Sequence, residues 1–203
     1  YFEGGIKSLV THLNQDKKSL HPVIYLSGRE EGKFPILVDV ALQYNDTFTE
    51  NIMSFANVIN TVDGGTHITG FRTALIKVIK DYAIRTGVLK DDKNDLVGED
   101  LREGLTAIVF VKMSANEIQF ESQTKAKLNN PEAQSAVYTI VRENLDIYLE
   151  EHPQDAKRIL EKVLLAARAR AAARAAKDAV IRKGALEGLT LPGKLADCQE
   201  TDP

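Results

Sequence analysis

Lys125 lies in the run Phe120–Leu128, FESQTKAKL, a short polar connection between a segment patterned as a strand and one patterned as a helix. By themselves Gln123, Thr124 and Lys125 read as solvated turn chemistry. A second place where residue types suggest chemistry is Asp63-Gly64-Gly65, directly before a helical pattern. Glycines there could leave backbone amides free for a phosphate, but such a triplet is more often a turn, and no ligand is assigned to it. A third is cationic. Arg170, Arg174 and Lys177 recur at i, i+4 and i+7, so a helix carrying them presents all three on one side. Arg72 and Lys77 occupy the polar face of an earlier helix.

Other chemistry is thin. The single cysteine, Cys198, has no second thiol for a disulfide or a zinc knuckle. His12, His21, His67 and His152 lie far apart without metal-ligand spacing, so no metal site is expected. No apolar run approaches the roughly 18–20 residues a membrane span needs, and the first residues carry no signal pattern; an intracellular protein is the expectation.

Charge is unevenly placed. Lys157 to Lys183 carries nine Lys or Arg against Glu161 and Asp178, a local +7; the chain's net is −3, so the remainder holds −10. Such a stripe attracts phosphate backbones, although an alanine-rich helix also needs charge to stay in solution.

The elements that must position these groups follow from periodicity. With 203 residues, 43% of them hydrophobic, the chain can bury one good core and an extension. Ile6, Leu9, Val10 and Leu13 mark a short amphipathic helix; it starts in mid-pattern with no initiator methionine, as a piece of a longer protein would. Strands are expected over Val23–Ser27, Phe34–Tyr44 and Glu50–Ile59, joined as an antiparallel meander with 28–33 as the first turn. In the second, Val38, Val40, Leu42 and Tyr44 share a face. Phe71, Ala74, Leu75, Val78, Ile79 and Tyr82 mark a helix, with Thr66 as N-cap and Gly87 at its C-terminal cap. A charged loop, Lys90–Asp95, and a short polar turn, Glu99–Glu103, lead to Leu105–Met113, the most strand-like run and the expected central strand. Pro131 opens the next helix, to about Glu151, and Pro153 starts another from about Gln154 to Lys183, ended by Gly184. Ala166–Ala179, with nine alanines in fourteen residues, keeps that helix stiff with little to pack, so it must project from or span the body.

Six segments in order, YFEGGIKSLV (1–10), FTENIMSFAN (48–57), DGGTHITGFRTAL (63–75), GEDLREGLTAIV (98–109), QTKAKL (123–128) and LPGKLADC (191–198), resemble the DNA gyrase B family of type IIA topoisomerases. The corresponding protein of topoisomerase IV is the near relative. What they resemble is the transducer domain, between the ATP-binding domain and the metal-binding cleavage domain. The resemblance implies an α+β fold: a roughly four-stranded mixed sheet, helices on one face, a left-handed βαβ crossover and a long C-terminal helix. It divides the chain into a transducer body (1–152), a long basic alanine-rich helix (153–184) and a linker (185–203) toward a cleavage domain outside the chain. It implies that Lys125 contacts the ATP γ-phosphate, with Gln123 as a second contact and Thr124 between them. Arg72, Arg170, Arg174 and Lys177 become the residues facing DNA.

Activity would be that of an ATP-hydrolysing topoisomerase in the bacterial cytoplasm, with no catalytic or metal-binding residue in this stretch. ATP and magnesium would be bound mainly by domains outside it. Implied partners are the DNA gyrase A protein, a second copy of gyrase B and duplex DNA, with no membrane. The family often places prolines between the central strand and the Gln-Thr-Lys loop, and Met113–Gln119, MSANEIQ, has none. The readings in competition are the topoisomerase IV counterpart, a stand-alone DNA-binding module using the basic helix, and a structural spacer.

Overall fold

A computed structural model describes residues 3–89 and 96–187, with side chains to 181. The Lys90–Asp95 loop, the linker from residue 188 onward and Cys198 lie outside the described residues. The element order is α1 (Gly5–Leu13), β1 (Ile24–Glu31), β2 (Pro35–Tyr44), β3 (Asn51–Ala56), β4 (Ile59–Asn60), α2 (Thr66–Arg85), β5 (Leu105–Lys112), α3 (Pro131–Glu151) and α4 (Pro153–Glu187). Contacts divide the chain into two compact units, Tyr1–Ala167 and Arg168–Pro203.

The five strands of the first unit form one sheet in the order β1-β2-β5-β3-β4. β5 is central, as its apolar run LTAIVFVK predicts. The expected meander does not form. β1 and β2 make the anticipated hairpin, with β1 extending through the predicted turn to Glu31. β3 does not pair with β2, because β5 inserts between them, antiparallel to β2 and parallel to β3. A parallel neighbour requires a crossover, and α2 lies on the connection from β3 to β5. The sheet has five strands rather than four: β3 folds back on the two-residue β4, a return too short to carry a periodic signal.

Alternation along the strands builds two unequal layers. Val38, Val40, Leu42 and Tyr44 share the large core with Leu105, Ala107, Val109 and Val111, and α2, α3 and the start of α4 cover it. Ala41 and Ile108, paired across β2 and β5, point the other way and meet Val10 of α1. Helices therefore lie on both faces rather than one, because α1 is amphipathic and its apolar stripe has a second sheet face to cover.

α2 and α3 are in close contact: a Cβ on Gly70 would fall 2.3 Å from the Gln134 carbonyl oxygen. Within the first unit α4 buries Ala156, Ile159, Leu160, Val163 and Ala166. The buried Lys162 donates to the Thr47 carbonyl at 2.7 Å and the Asp46 carbonyl at 3.4 Å, with its ammonium 4.3 Å from the Phe48 ring centroid. α4 runs on to Glu187, past Gly184, since an interior glycine costs a helix only about 1 kcal/mol. In the second unit residues 171–181 are exposed throughout, as an alanine-rich sequence with few large apolar side chains requires.

Candidate functional site

After β5 the chain makes a hairpin-like excursion rooted on one buried side chain. Asn130, 1% exposed, accepts from the Gln119 amide at 2.7 Å and donates to the Glu117 carbonyl at 2.8 Å. Asn129 N–H to the Gln119 carbonyl (2.9 Å) and Glu121 N–H to the Lys127 carbonyl (3.0 Å) close the two arms. Lys127 also pairs with Glu121 at 2.8 Å, and that hydrogen bond raises the lysine pKa. Stiffness that prolines would have lent this stretch comes instead from an amide side chain satisfying two backbone groups.

Gln123, Thr124 and Lys125 form the exposed tip. The Ser122 and Thr124 hydroxyls lie 2.7 Å apart, and the Lys125 amide donates to the Ser122 carbonyl at 3.1 Å. Lys125 has φ 55, one of two left-handed non-glycine residues among those described. That conformation costs about 1–2 kcal/mol for a residue with a Cβ, and it persists because the arms below hold the turn. Among the described residues nothing pairs with the Lys125 ammonium.

The far arm of the excursion is stapled to the start of α2. The Asp63 amide donates to the Ala126 carbonyl at 2.9 Å, the Leu128 amide to the Gly64 carbonyl at 3.0 Å, and the Thr66 amide to the Leu128 carbonyl at 3.1 Å. Gly65 is the point of closest approach, in a parallel bridge with Leu128. It has φ 134, and a Cβ there would sit 2.2 Å from the Leu128 carbonyl oxygen. Gly65, rather than Thr66, is the N-cap; Thr66 is the first helical residue, and its buried Oγ1 has no partner. The helix starts one residue earlier than expected, with the Gly65 carbonyl accepting from the Thr69 amide at 3.1 Å and the Thr66 amide donating outside the helix to Leu128. At the other end Gly87, φ 71, follows the C-cap as expected.

Below this staple is a buried polar chain. Ser54 Oγ lies 2.7 Å from Thr61 Oγ1, which lies 3.2 Å from His67 Nε2. Burial in apolar surroundings pushes the His67 pKa down to about 4, and its Nδ1 has no partner. Burial also lowers His21, whose Nδ1 donates to the Pro22 carbonyl at 2.6 Å and whose Nε2 accepts from the Tyr44 amide at 3.0 Å.

Arg72 lines a cavity of about 380 Å³ together with Asp63, Gly65, Thr66, Lys127 and Asn129. It is ion-paired with Glu50 at 2.7 Å, and Arg102 reaches the same carboxylate at 3.2 Å. The structure thus joins the loop's far arm, Lys127–Asn129, with Asp63–Thr66 and Arg72 around one depression, while Gln123, Thr124 and Lys125 stand outside its lining. Arg170, Arg174 and Lys177 belong to the second unit. Among the described residues no group of three or more His, Cys, Asp or Glu is placed to hold a metal, and no helix is long and apolar enough to cross a membrane.

The α+β fold is shared with solved structures. The ATPase domain of Thermus thermophilus gyrase B, described as a 43K domain in complex with an aminocoumarin, matches with TM-score 0.77 and 38% identity over 86% of this chain and 46% of that one. The ATP-binding domain of Francisella tularensis topoisomerase IV matches with TM-score 0.68 and 25% identity over 84% of this chain and 44% of that one. The class is therefore a bacterial type II topoisomerase fold. A family model described as DNA gyrase B matches residues 5–179. Two DNA gyrase B proteins, from Clostridium acetobutylicum and Bacillus cereus, are each 50% identical over the whole chain. The chain belongs to the DNA gyrase B family, and it spans 31% and 49% of those two relatives.

Proposed function

We propose that this chain is the transducer of a DNA gyrase B protein, coupling ATP binding and hydrolysis in the adjoining part of that protein to DNA strand passage and negative supercoiling. The carrying observation is Lys125: an unpaired cation held in a left-handed turn at the tip of a braced, outward-facing loop. Strained backbone that surrounding hydrogen bonds enforce is the kind of feature a contact site maintains. In this reading Lys125 holds the ATP γ-phosphate, Gln123 adds a second contact, and Thr124 sets the turn between them. An ammonium fits the anionic oxygens of a terminal phosphate and prefers the nucleotide that has one. With nothing to hold, the tip is released and the alternative domain arrangement is favoured.

Arg72, Arg170, Arg174 and Lys177 face duplex DNA, and ATP with magnesium is held mainly by parts of the parent protein outside this chain. The body (1–152), the basic helix (153–184) and the linker (185–203) then have sensing, transmitting and connecting roles, with a left-handed β3–α2–β5 crossover. Partners are the gyrase A protein and a second copy of gyrase B, in the bacterial cytoplasm. The likeness to a topoisomerase IV structure keeps that relative as the second reading, and supercoiling as opposed to decatenation by the parent enzyme separates the two.

Lys125→Ala in full-length gyrase B, assembled with gyrase A, tests the assignment. A charge-assisted hydrogen bond contributes about 1.5–3 kcal/mol, so discrimination for ATP over ADP should fall about tenfold to a hundredfold, with supercoiling lost alongside. Wild-type turnover and supercoiling would remove the loop from the mechanism.

A further inference from the structure

We propose that the turn Asp63–Thr66 is the relay that passes the state of the Gln123–Lys125 loop to α2 and its DNA-facing Arg72; the proposal rests on the nucleotide-contacting role given to Lys125 above. Three backbone hydrogen bonds tie Ala126 and Leu128 to Asp63, Gly64 and Thr66. They begin one residue beyond Lys125, so a displaced tip pulls first on Ala126. Leu128 is 1% exposed, which leaves that end no slack toward solvent.

The receiving side is equally constrained. Thr61 is tied to β3 through Ser54 and to α2 through His67, so the turn cannot absorb motion by drifting from the body. Its freedom resides in the glycines: Gly64 and Gly65 have φ 72 and 134, where side chains are rarely accommodated, and they can change backbone angles without displacing a Cβ. A rotation there is delivered to the first turn of α2. Arg72 stands on that helix with its guanidinium on Glu50, a pair that the rotation would lengthen or shorten. Two residues before Arg72, Gly70 packs so closely on the Gln134 carbonyl that α2 cannot shift at this point without pressing on α3.

Gly65 is thus a positioning residue. Gly65→Ala places a methyl against Leu128 backbone and forces the bridge apart while leaving the loop tip chemically intact. In full-length gyrase B assembled with gyrase A, we expect it to lower the supercoils introduced per ATP hydrolysed at least fivefold. A wild-type ratio in this variant overturns the relay. Lys125→Ala is run beside it: unchanged turnover there would refute the nucleotide contact itself, a different failure.

Should Gly65→Ala not fold, hydrogen exchange on wild-type full-length gyrase B decides. On addition of a non-hydrolysable ATP analogue, peptides covering 63–66 and 126–128 should slow together. Slowing at 126–128 alone would overturn the relay, and no change across 122–128 would refute the contact.

Discussion

His67 gives the most quantitative test of how the α2 start is built. Its ring is 0% exposed, and desolvation depresses its pKa from 6.5 to about 4. The unfolded chain therefore takes up a proton on this ring as pH falls through 6.5, before the folded chain can. The neutral ring's contribution is fully present above 6.5, drains away as pH drops toward 4, and levels off below that. At pH 5 the two pKa values imply a loss of about 2 kcal/mol from His67 alone. Carboxylates titrate over part of the same range, so the comparison is between wild type and His67→Gln, which keeps a polar partner for Thr61. Urea unfolding of the 203-residue chain at pH 7.5 and pH 5.0 should show wild type losing about 2 kcal/mol more than the variant. His21 is lowered in the same direction and is present in both proteins, so it cancels. Equal losses, within about 0.5 kcal/mol, would show that water or a counter-charge reaches the ring and that the buried Ser54-Thr61-His67 chain is not closed.

Gly70→Ala should destabilise by about 1–3 kcal/mol, lowering Tm by about 2–4 °C per kcal/mol, because its methyl would press on the Gln134 carbonyl; an unchanged Tm would mean that α2 and α3 are farther apart than described. Lys162→Met keeps the apolar stem but strands the Asp46 and Thr47 carbonyls, with an expected loss of about 1–3 kcal/mol in denaturant unfolding; a neutral result would show that the ammonium merely snorkels to water. Replacing Arg170, Arg174 and Lys177 by Glu in full-length gyrase B should reduce DNA affinity and flatten its dependence on salt by up to three phosphate contacts; an unaltered slope would leave this face out of DNA contact.

Much was legible in one dimension. Helix periodicity in Phe71–Tyr82, the continuous apolar run Leu105–Val111, Pro131 and Pro153 as helix starts, and the alternation of Val38, Val40, Leu42 and Tyr44 each record a local rule about which face is buried. The family, too, was legible, from short segments in a fixed order. Where expectations failed, pairing between distant segments was at issue: sequential strands suggested a meander, yet β5, some fifty residues beyond β3, inserts beside it. The N-cap is Gly65 rather than Thr66, and the Thr66 amide, as the first in the helix, is satisfied by a distant carbonyl, that of Leu128, which no local pattern announces. A second helical layer was missed because Ala41 and Ile108, which receive α1, are spaced like any other inward residues.

The sequence by itself determined the longer elements, the faces they bury in the main core and the polarised charge, because periodicity and breaker residues act within a turn or two of chain. Only the tertiary structure decided that Asp63-Gly64-Gly65, a turn of no assigned role, is hydrogen-bonded to the loop bearing Lys125. That contact consists of backbone amides and carbonyls, groups every residue carries, and so leaves no side-chain signature except the glycine whose missing Cβ lets the two segments meet.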